Sequence, residues 1–168
     1  MDDRTVDNRK PILVLGIGNL LFKDEGIGIH VIKKMETMTL PPDVEVMDGG
    51  TSSPIFIYLI ENRKKVIVID AIQAGGPPGR IYRLSQKDFL ETRKGFPRTT
   101  QETEFEDGLR TAIMMKTNPE ELVVIGVEPE DMGEKDLKLK IELSPTLEAK
   151  IPEIIETVMR EIGLCQSL

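Results

Sequence analysis

Short apolar runs alternate along the chain with longer stretches in which apolar residues recur every three or four positions. Residues 11–16 are apolar and closed by a glycine, which is typical of a strand buried on both faces of a sheet. Helical spacing of apolar residues predicts a helix over about 26–37. Residues 44–50 predict a second strand, and residues 65–70, apolar and β-branched, predict a third.

The middle of the chain continues this alternation with one change of strand direction. Ser53-Pro54 predicts the start of a second helix, since proline is accepted in a first helical turn. Residues 81–85 alternate and predict a short antiparallel strand. Residues 86–98 are polar and predict an exposed loop with one helical turn.

Two further helices are predicted in the last third of the chain. Thr103 and Glu106 have the spacing of a capping box and predict the start of the first of them. Residues 122–129 then predict the last core strand. A C-terminal helix is predicted to begin at Ser144-Pro145, to be kinked or split at Pro152, and to be capped by Gly163.

These elements predict the α/β class, as a three-layer α/β/α arrangement with helices on both faces of a doubly wound, mostly parallel sheet of about five strands. At 168 residues and 39% hydrophobic content the chain suits one domain over residues 1–168, with residues 1–10 expected to be flexible. For a strand order 2-1-3, ligands are expected outside the carboxyl ends of the first and third strands.

Composition narrows the classes of partner. The 29 acidic and 22 basic residues give a net charge of -7, which disfavours nucleic acid and anionic membranes. No apolar run has the length of a signal sequence or a membrane span, so membrane insertion is not expected. Cys165 is the only cysteine, which excludes an internal disulfide and a multi-cysteine metal cage. A cytoplasmic location is therefore expected.

Residues 16–30, GIGNLLFKDEGIGIH, combine four glycines with the acidic pair Asp24 and Glu25. The glycine spacing departs from the dinucleotide-binding pattern at Leu21. Because two carboxylates would repel a phosphate at this helix start, the segment favours a cation. The alternative is that both residues only complement the helix dipole.

Asp70 ends an otherwise apolar strand, where a charge is costly unless it has a partner or a function. It could serve as a helix N-cap or turn residue. It could also meet Glu25 in the crevice between the first and third strands. Two converging carboxylates require either a raised pKa or a bound cation, and both outcomes indicate chemistry rather than packing.

The chain resembles the hydrogenase maturation proteases, the endopeptidases that trim the C-terminal extension of nickel-iron hydrogenase large subunits. The resemblance runs over nearly the whole length, in matching order and spacing. The matching segments are LGIGNLLFKDEGIGIHVI at 15–32, MDGGT at 47–51, VIVIDAIQAGGPPG at 66–79, IGVEPED at 125–131 and ELSPTLEAKIPEII at 142–155.

The resemblance implies a set of residues that contact the nickel of the immature substrate. Glu25 and Asp70 match the family's two acidic contacts, and Gln101 stands in the place of its histidine. An amide oxygen is a harder and weaker ligand for nickel than imidazole, so nickel affinity is expected to fall. His30 lies about 140° around the helix from Glu25 and is expected to be structural.

The resemblance also implies a loop that meets the substrate. In this loop Ser52-Ser53 replace a glycine that is usual in the family, so partner specificity is expected to differ. The matching residues expected to bind substrate are Asp48, Gly49, Gly50 and Thr51.

The implied activity is removal of the C-terminal extension of a nickel-iron hydrogenase large-subunit precursor after nickel insertion, with the nickel supplied by that precursor rather than held permanently. A Ser-His-Asp or Cys-His arrangement is not expected, since the chain has a single histidine and Cys165 is near the terminus, and the chain also has no H-E-x-x-H zinc motif. Glu25 and Asp70 are therefore expected to act by acid-base or metal-assisted hydrolysis. The alternative is a non-catalytic chaperone that binds the large subunit and has lost turnover with the histidine.

Overall fold

The computed structural model describes residues 8–50, 55–91, 95–133 and 139–166. Several expectations concern residues outside these ranges. They are the flexibility of residues 1–7, the substrate contact of Thr51, the effect of Ser52-Ser53 and the start of a helix at Ser53-Pro54.

A five-stranded sheet forms the centre of the molecule, with the strand order β2-β1-β3-β5-β4. Four strands are parallel, and β4 pairs antiparallel with β5 at one edge. This arrangement confirms the predicted α/β class, the order 2-1-3 and the antiparallel strand. The bounds are Ile12–Ile17 for β1, Val44–Gly50 for β2, Lys65–Ala71 for β3, Ile81–Ser85 for β4 and Glu121–Val127 for β5.

Helices cover both faces of the sheet, which confirms the three layers. One face packs against α1 and α5, and the other against α2, α3 and α4. Successive strand residues alternate between the two apolar clusters, as side chains of a strand must. The bounds are Ile27–Met35 for α1, Phe56–Ile60 for α2, Gln86–Glu91 for α3, Thr100–Met115 for α4 and Pro145–Gln166 for α5, with a 3-10 turn at Lys23–Gly26.

Several helices begin at the carboxyl edge of the parallel strands. The turn Lys23–Gly26 and then α1 follow directly after β1. Thr117, just after α4, accepts a hydrogen bond from Asn62 at the amino edge, so α4 runs antiparallel to the strands and begins at the carboxyl edge. This edge is where ligands bind in doubly wound sheets.

The start of α4 differs from the prediction. Thr99 is the N-cap, and its hydroxyl accepts a hydrogen bond from the main-chain N–H of Glu102 at 3.0 Å. Thr103 lies inside the helix and Glu106 binds the arginines Arg98 and Arg110, so the predicted capping box is wrong. The helix begins one turn earlier than predicted, because the side chains of Gln101 and Glu102 in its first turn are already buried.

Two other local predictions need correction. Residues 86–91 form the helix α3, longer than the single turn expected, because Phe89 anchors it in the core. The helix α5 continues through Pro152 and past Gly163, so the predicted split and cap are wrong. Pro152 and Glu148 are both exposed, and the Glu148 carbonyl that loses its helical partner can therefore bond to water.

Candidate functional site

Glu25 and Asp70 lie at the carboxyl edge of neighbouring strands. Glu25 belongs to the 3-10 turn after β1 and is 7% exposed, while Asp70, the next-to-last residue of β3, is 1% exposed. A Cβ atom placed on Gly18 would lie 2.0 Å from the carbonyl oxygen of Glu25 and 3.8 Å from Oδ1 of Asp70. Those two oxygens are therefore no further apart than the sum of these distances. That the two carboxylates share an ion stays a prediction.

Glycine at position 18 makes this approach possible. Its φ of +131° is one that residues with a side chain rarely adopt, and no Cβ would fit against Glu25. Gly28 has a similar role, since its Cβ would lie 2.3 Å from the Ile69 carbonyl oxygen. These two glycines thus allow close packing of the turn and α1 onto β1 and β3.

Asp24, adjacent to Glu25 in sequence, has a different role from the one expected. Its carboxylate is fully buried and accepts hydrogen bonds of 2.8–2.9 Å from the main-chain N–H groups of Glu130, Asp131 and Ser144. It also accepts a 2.8 Å bond from the Ser144 hydroxyl. Because protein donors satisfy this carboxylate, the expectation that Asp24 faces a cation is wrong. Asp24 instead fixes the turn that carries Glu25.

Gln101 lies in the first turn of α4, at the same edge of the sheet, and is 8% exposed. Its Oε1 atom has no hydrogen-bond partner within the part of the chain that the structure describes. Among those same residues, no three His, Cys, Asp or Glu side chains are grouped so that they could hold a metal ion. That Gln101 contacts nickel together with Glu25 and Asp70 stays a prediction.

His30 connects α1 to the segment before α5. Its Nε2 atom lies 2.9 Å from the carbonyl oxygen of Ile141, which can only accept, so this ring nitrogen carries the proton. The contact is the structural role expected for His30.

The carboxyl end of β2 lies beside the end of β1, because Gly50 pairs with Ile17. Asp48 is exposed, and its Oδ1 accepts a 2.7 Å hydrogen bond from the Gly50 N–H. Gly49 is buried against the side chain of Leu15. Residues 48–50 are thus held at the same edge as Glu25, and their contact with substrate stays a prediction.

Glu128 positions the loop that follows Asp70, a role that the sequence did not reveal. Its Oε2 accepts hydrogen bonds of 2.9 Å from the Ala74 N–H and the Tyr82 hydroxyl. Burial and this hydrogen bond to Glu128 raise the pKa of Tyr82. The only sequence signal was the Glu-Pro pair directly after an apolar strand.

A cavity of about 820 Å³ opens next to the site, between the loop after β5 and the start of α5. Lys23, Gln73 and Ser144 contribute to its wall, and Lys23 forms an ion pair with Asp131, which also lines it. This hydrogen bond from Lys23 lowers the pKa of Asp131. Glu25 and Asp70 do not line this cavity.

Within the described part of the chain, no helix is long and apolar enough to cross a membrane.

Comparison with known proteins gives consistent results. A family model described as hydrogenase maturation protease matches residues 29–161. A hydrogenase expression/formation protein HupD from Rhodobacter capsulatus is 31% identical over 152 residues, which cover 90% of this chain and 70% of that protein. A putative hydrogenase maturation protease from Methanocaldococcus jannaschii is 33% identical over 156 residues, which cover 92% and 97% of the two chains. The solved structure of the hydrogenase maturating endopeptidase HybD from E. coli superposes with a TM-score of 0.80 at 32% identity, covering 90% of this chain and 93% of that one.

Proposed function

This chain belongs to the hydrogenase maturation protease family, and we propose that it removes the C-terminal extension of a nickel-iron hydrogenase large subunit after nickel has been inserted. The observation that carries the proposal is the approach of the Glu25 turn to Asp70 over Gly18 at the carboxyl edge of the sheet. Two buried acidic residues at this edge suit recognition of a cation that the substrate brings.

Nickel belongs to the substrate in this proposal, and its presence licenses cleavage. The carboxylates of Glu25 and Asp70 contact it, whereas Gln101, in the place where the resemblance implies a histidine, has only an amide oxygen, which is a poor ligand for nickel. The large-subunit precursor supplies the remaining ligands. A precursor without nickel brings no cation for the two carboxylates to contact, so we expect it to bind more weakly.

Hydrolysis requires a group that activates water. Glu25 or Asp70 can position a water molecule and remove its proton, because a buried carboxylate is an effective general base. The nickel carried by the precursor can polarise the scissile carbonyl, which is a separable contribution. The fixed turn around Asp24 holds Glu25 in place for either role.

A second candidate function is a maturation chaperone that binds the large subunit without cutting it. The observation in its favour is Gln101, a buried amide in the first turn of α4, where the resemblance implies a histidine. Such a chaperone would keep the docking surface and the two acids but lose turnover.

One assay separates the two functions. The purified protein is incubated with nickel-loaded precursor, and mass spectrometry follows release of the C-terminal peptide. A protease releases the peptide, fails to do so with nickel-free precursor, and loses at least about a hundredfold in rate with Glu25→Gln or Asp70→Asn. Asp107→Asn is the matched control, because Asp107 is an exposed acid on α4. A stable complex without release would favour the chaperone.

A further inference from the structure

Two buried oxygen atoms on α4 lack hydrogen-bond partners among the described residues. They are Oε1 of Gln101 and Oε2 of Glu104. Gln101 is more than nine-tenths buried, and neither atom touches water appreciably. Folded proteins leave few buried polar atoms unsatisfied because each one costs stability. A donor from outside the chain would satisfy both.

The two side chains lie on one flank of α4. Residues three apart on a helix are neighbours on its surface, so Gln101 and Glu104 stand side by side. Gly108 continues the flank, and its Cβ would lie 3.4 Å from Cβ of Phe56 and 3.6 Å from the main-chain nitrogen of Ile57. The flank therefore faces the start of α2.

This position joins the pair to the proposed site. α4 begins at the carboxyl edge of the sheet, and α2 is the next described helix after β2, whose carboxyl end lies at the same edge. A precursor segment held at Glu25 and Asp70 would thus pass the flank that carries Gln101 and Glu104.

We propose that Gln101 and Glu104 bind a cationic side chain, lysine or arginine, of the precursor. Both unsatisfied atoms are acceptors, and a carboxylate beside an amide oxygen matches the donors of an ammonium or guanidinium group. The net charge of -7 favours approach of a basic segment. Glu104 is partly exposed, so rotation of its carboxylate exchanges the buried oxygen with one that faces solvent.

This inference rests on the proposed function and gives Gln101 a different ligand. An amide oxygen is a poor ligand for nickel but a good acceptor from an organic cation. Glu25 and Asp70 remain the residues that contact nickel, while Gln101 and Glu104 select the precursor by its charge.

The test compares precursors in which each lysine or arginine flanking the cleavage position is replaced singly by glutamine. Binding is measured by titration calorimetry, and cleavage by release of the C-terminal peptide. Glu104→Gln is expected to weaken binding about 10- to 100-fold and to raise KM with kcat little changed. The weakening caused by Glu104→Gln should disappear with the precursor in which the lysine or arginine that binds Glu104 has been replaced by glutamine. Asp107→Asn removes the same charge from α4 and should change neither value.

The outcomes distinguish the two proposals. If binding is insensitive to Glu104→Gln, or sensitive to the same degree with every neutralised precursor, the proposal that Gln101 and Glu104 bind a cationic side chain is wrong, and the proposed protease function is unaffected. If the precursor binds without being cleaved and its binding still depends on Glu104, the result supports cation binding by Gln101 and Glu104 and contradicts the proposed endopeptidase function. If no precursor binds the wild-type protein, both proposals fail.

Discussion

Asp24 accepts two hydrogen bonds from Ser144, one from its main-chain N–H and one from its hydroxyl, each 2.8 Å long. The two residues are 120 positions apart in sequence. Their contact joins the turn that carries Glu25 to the start of α5, and further bonds from Glu130 and Asp131 add the loop after β5. The place of Glu25 therefore depends on a buried carboxylate that takes no part in the proposed chemistry.

Asp24→Asn tests this dependence. An amide presents one acceptor oxygen instead of two and brings two donors that the site cannot satisfy, so we expect a loss of about 2–4 kcal/mol in the free energy of unfolding. Ser144→Ala, which removes only the hydroxyl, should cost about 1 kcal/mol. Urea denaturation followed by circular dichroism measures both. Equal midpoints for Asp24→Asn and the wild type would contradict the role assigned to Asp24.

Gly18→Ala tests the approach between Glu25 and Asp70. The new methyl group would lie 2.0 Å from the Glu25 carbonyl oxygen, and the backbone has a positive φ, so the turn must move. We expect a loss of more than about 3 kcal/mol in stability and loss of peptide release. Gly95→Ala is the matched control, because Gly95 also has a positive φ but no atom lies within 4 Å of its Cβ position.

For Gly95→Ala we expect only the backbone strain, about 1–2 kcal/mol, and unchanged activity. Thermal unfolding and the peptide-release assay should be run on both variants. Comparable losses in the two would mean that the contact with Glu25 is unimportant.

The sheet was predictable because its signals are local. The run in β3 is apolar from Val66 to Ile69, and the run in β2 alternates from Val44 to Val46, which are local signals typical of strands. The order 2-1-3 follows from general rules for alternating strands and helices. The start of α4 was harder to predict, because the spacing of Thr103 and Glu106 is a local signal, whereas burial of the first turn places the N-cap at Thr99. Pro152 was harder for a similar reason, since its exposed position lets α5 continue through it.

The site was only partly predictable. Asp24 and Glu25 are adjacent carboxylates, and nothing local distinguishes them. The structure separates them through donors that lie more than 100 residues further along the chain. Glu128 and Glu104 were missed for the same reason, since their roles depend on partners, or on a lack of partners among the described residues, that only the folded chain reveals.

Glu161 gives a pH-dependent prediction at the opposite edge of the sheet. Burial alone would raise the pKa of this carboxyl, but hydrogen bonds from Arg83 and Lys65 hold it below its ordinary value of 4.5. Lys65 is 1% exposed, and its Nζ lies 3.0 Å from Oε2 of Glu161. A lowered folded pKa contributes stability above the unfolded value, and this contribution is lost as the pH falls through the folded pKa.

Glu161→Gln should therefore destabilise the protein at pH 7, by about 1–3 kcal/mol, because it removes the anion closest to the buried Lys65 and leaves Glu121 at 3.3 Å as its remaining ion-pair partner among the described residues. The difference from wild type should shrink below about pH 4.5, where the wild type loses the same contribution. Glu156→Gln, which breaks an exposed pair with Arg160, should cost less than about 0.5 kcal/mol. A difference that is constant from pH 7 to pH 3 would contradict the role assigned to the pair.

Gln101→His tests whether position 101 can contact nickel as well as a cationic side chain of the precursor. Imidazole is a better nickel ligand than an amide oxygen, so the variant should bind nickel-loaded precursor at least about tenfold more tightly relative to nickel-free precursor. Thr103→His is the control, since it adds an imidazole at an exposed position of the same helix. The same change should reduce the preference for a basic precursor when nickel is present, because an imidazole nitrogen that binds nickel can no longer accept a hydrogen bond. Titration calorimetry with the four combinations of variant and nickel loading measures both effects, and an unchanged nickel ratio would mean that position 101 does not face the metal.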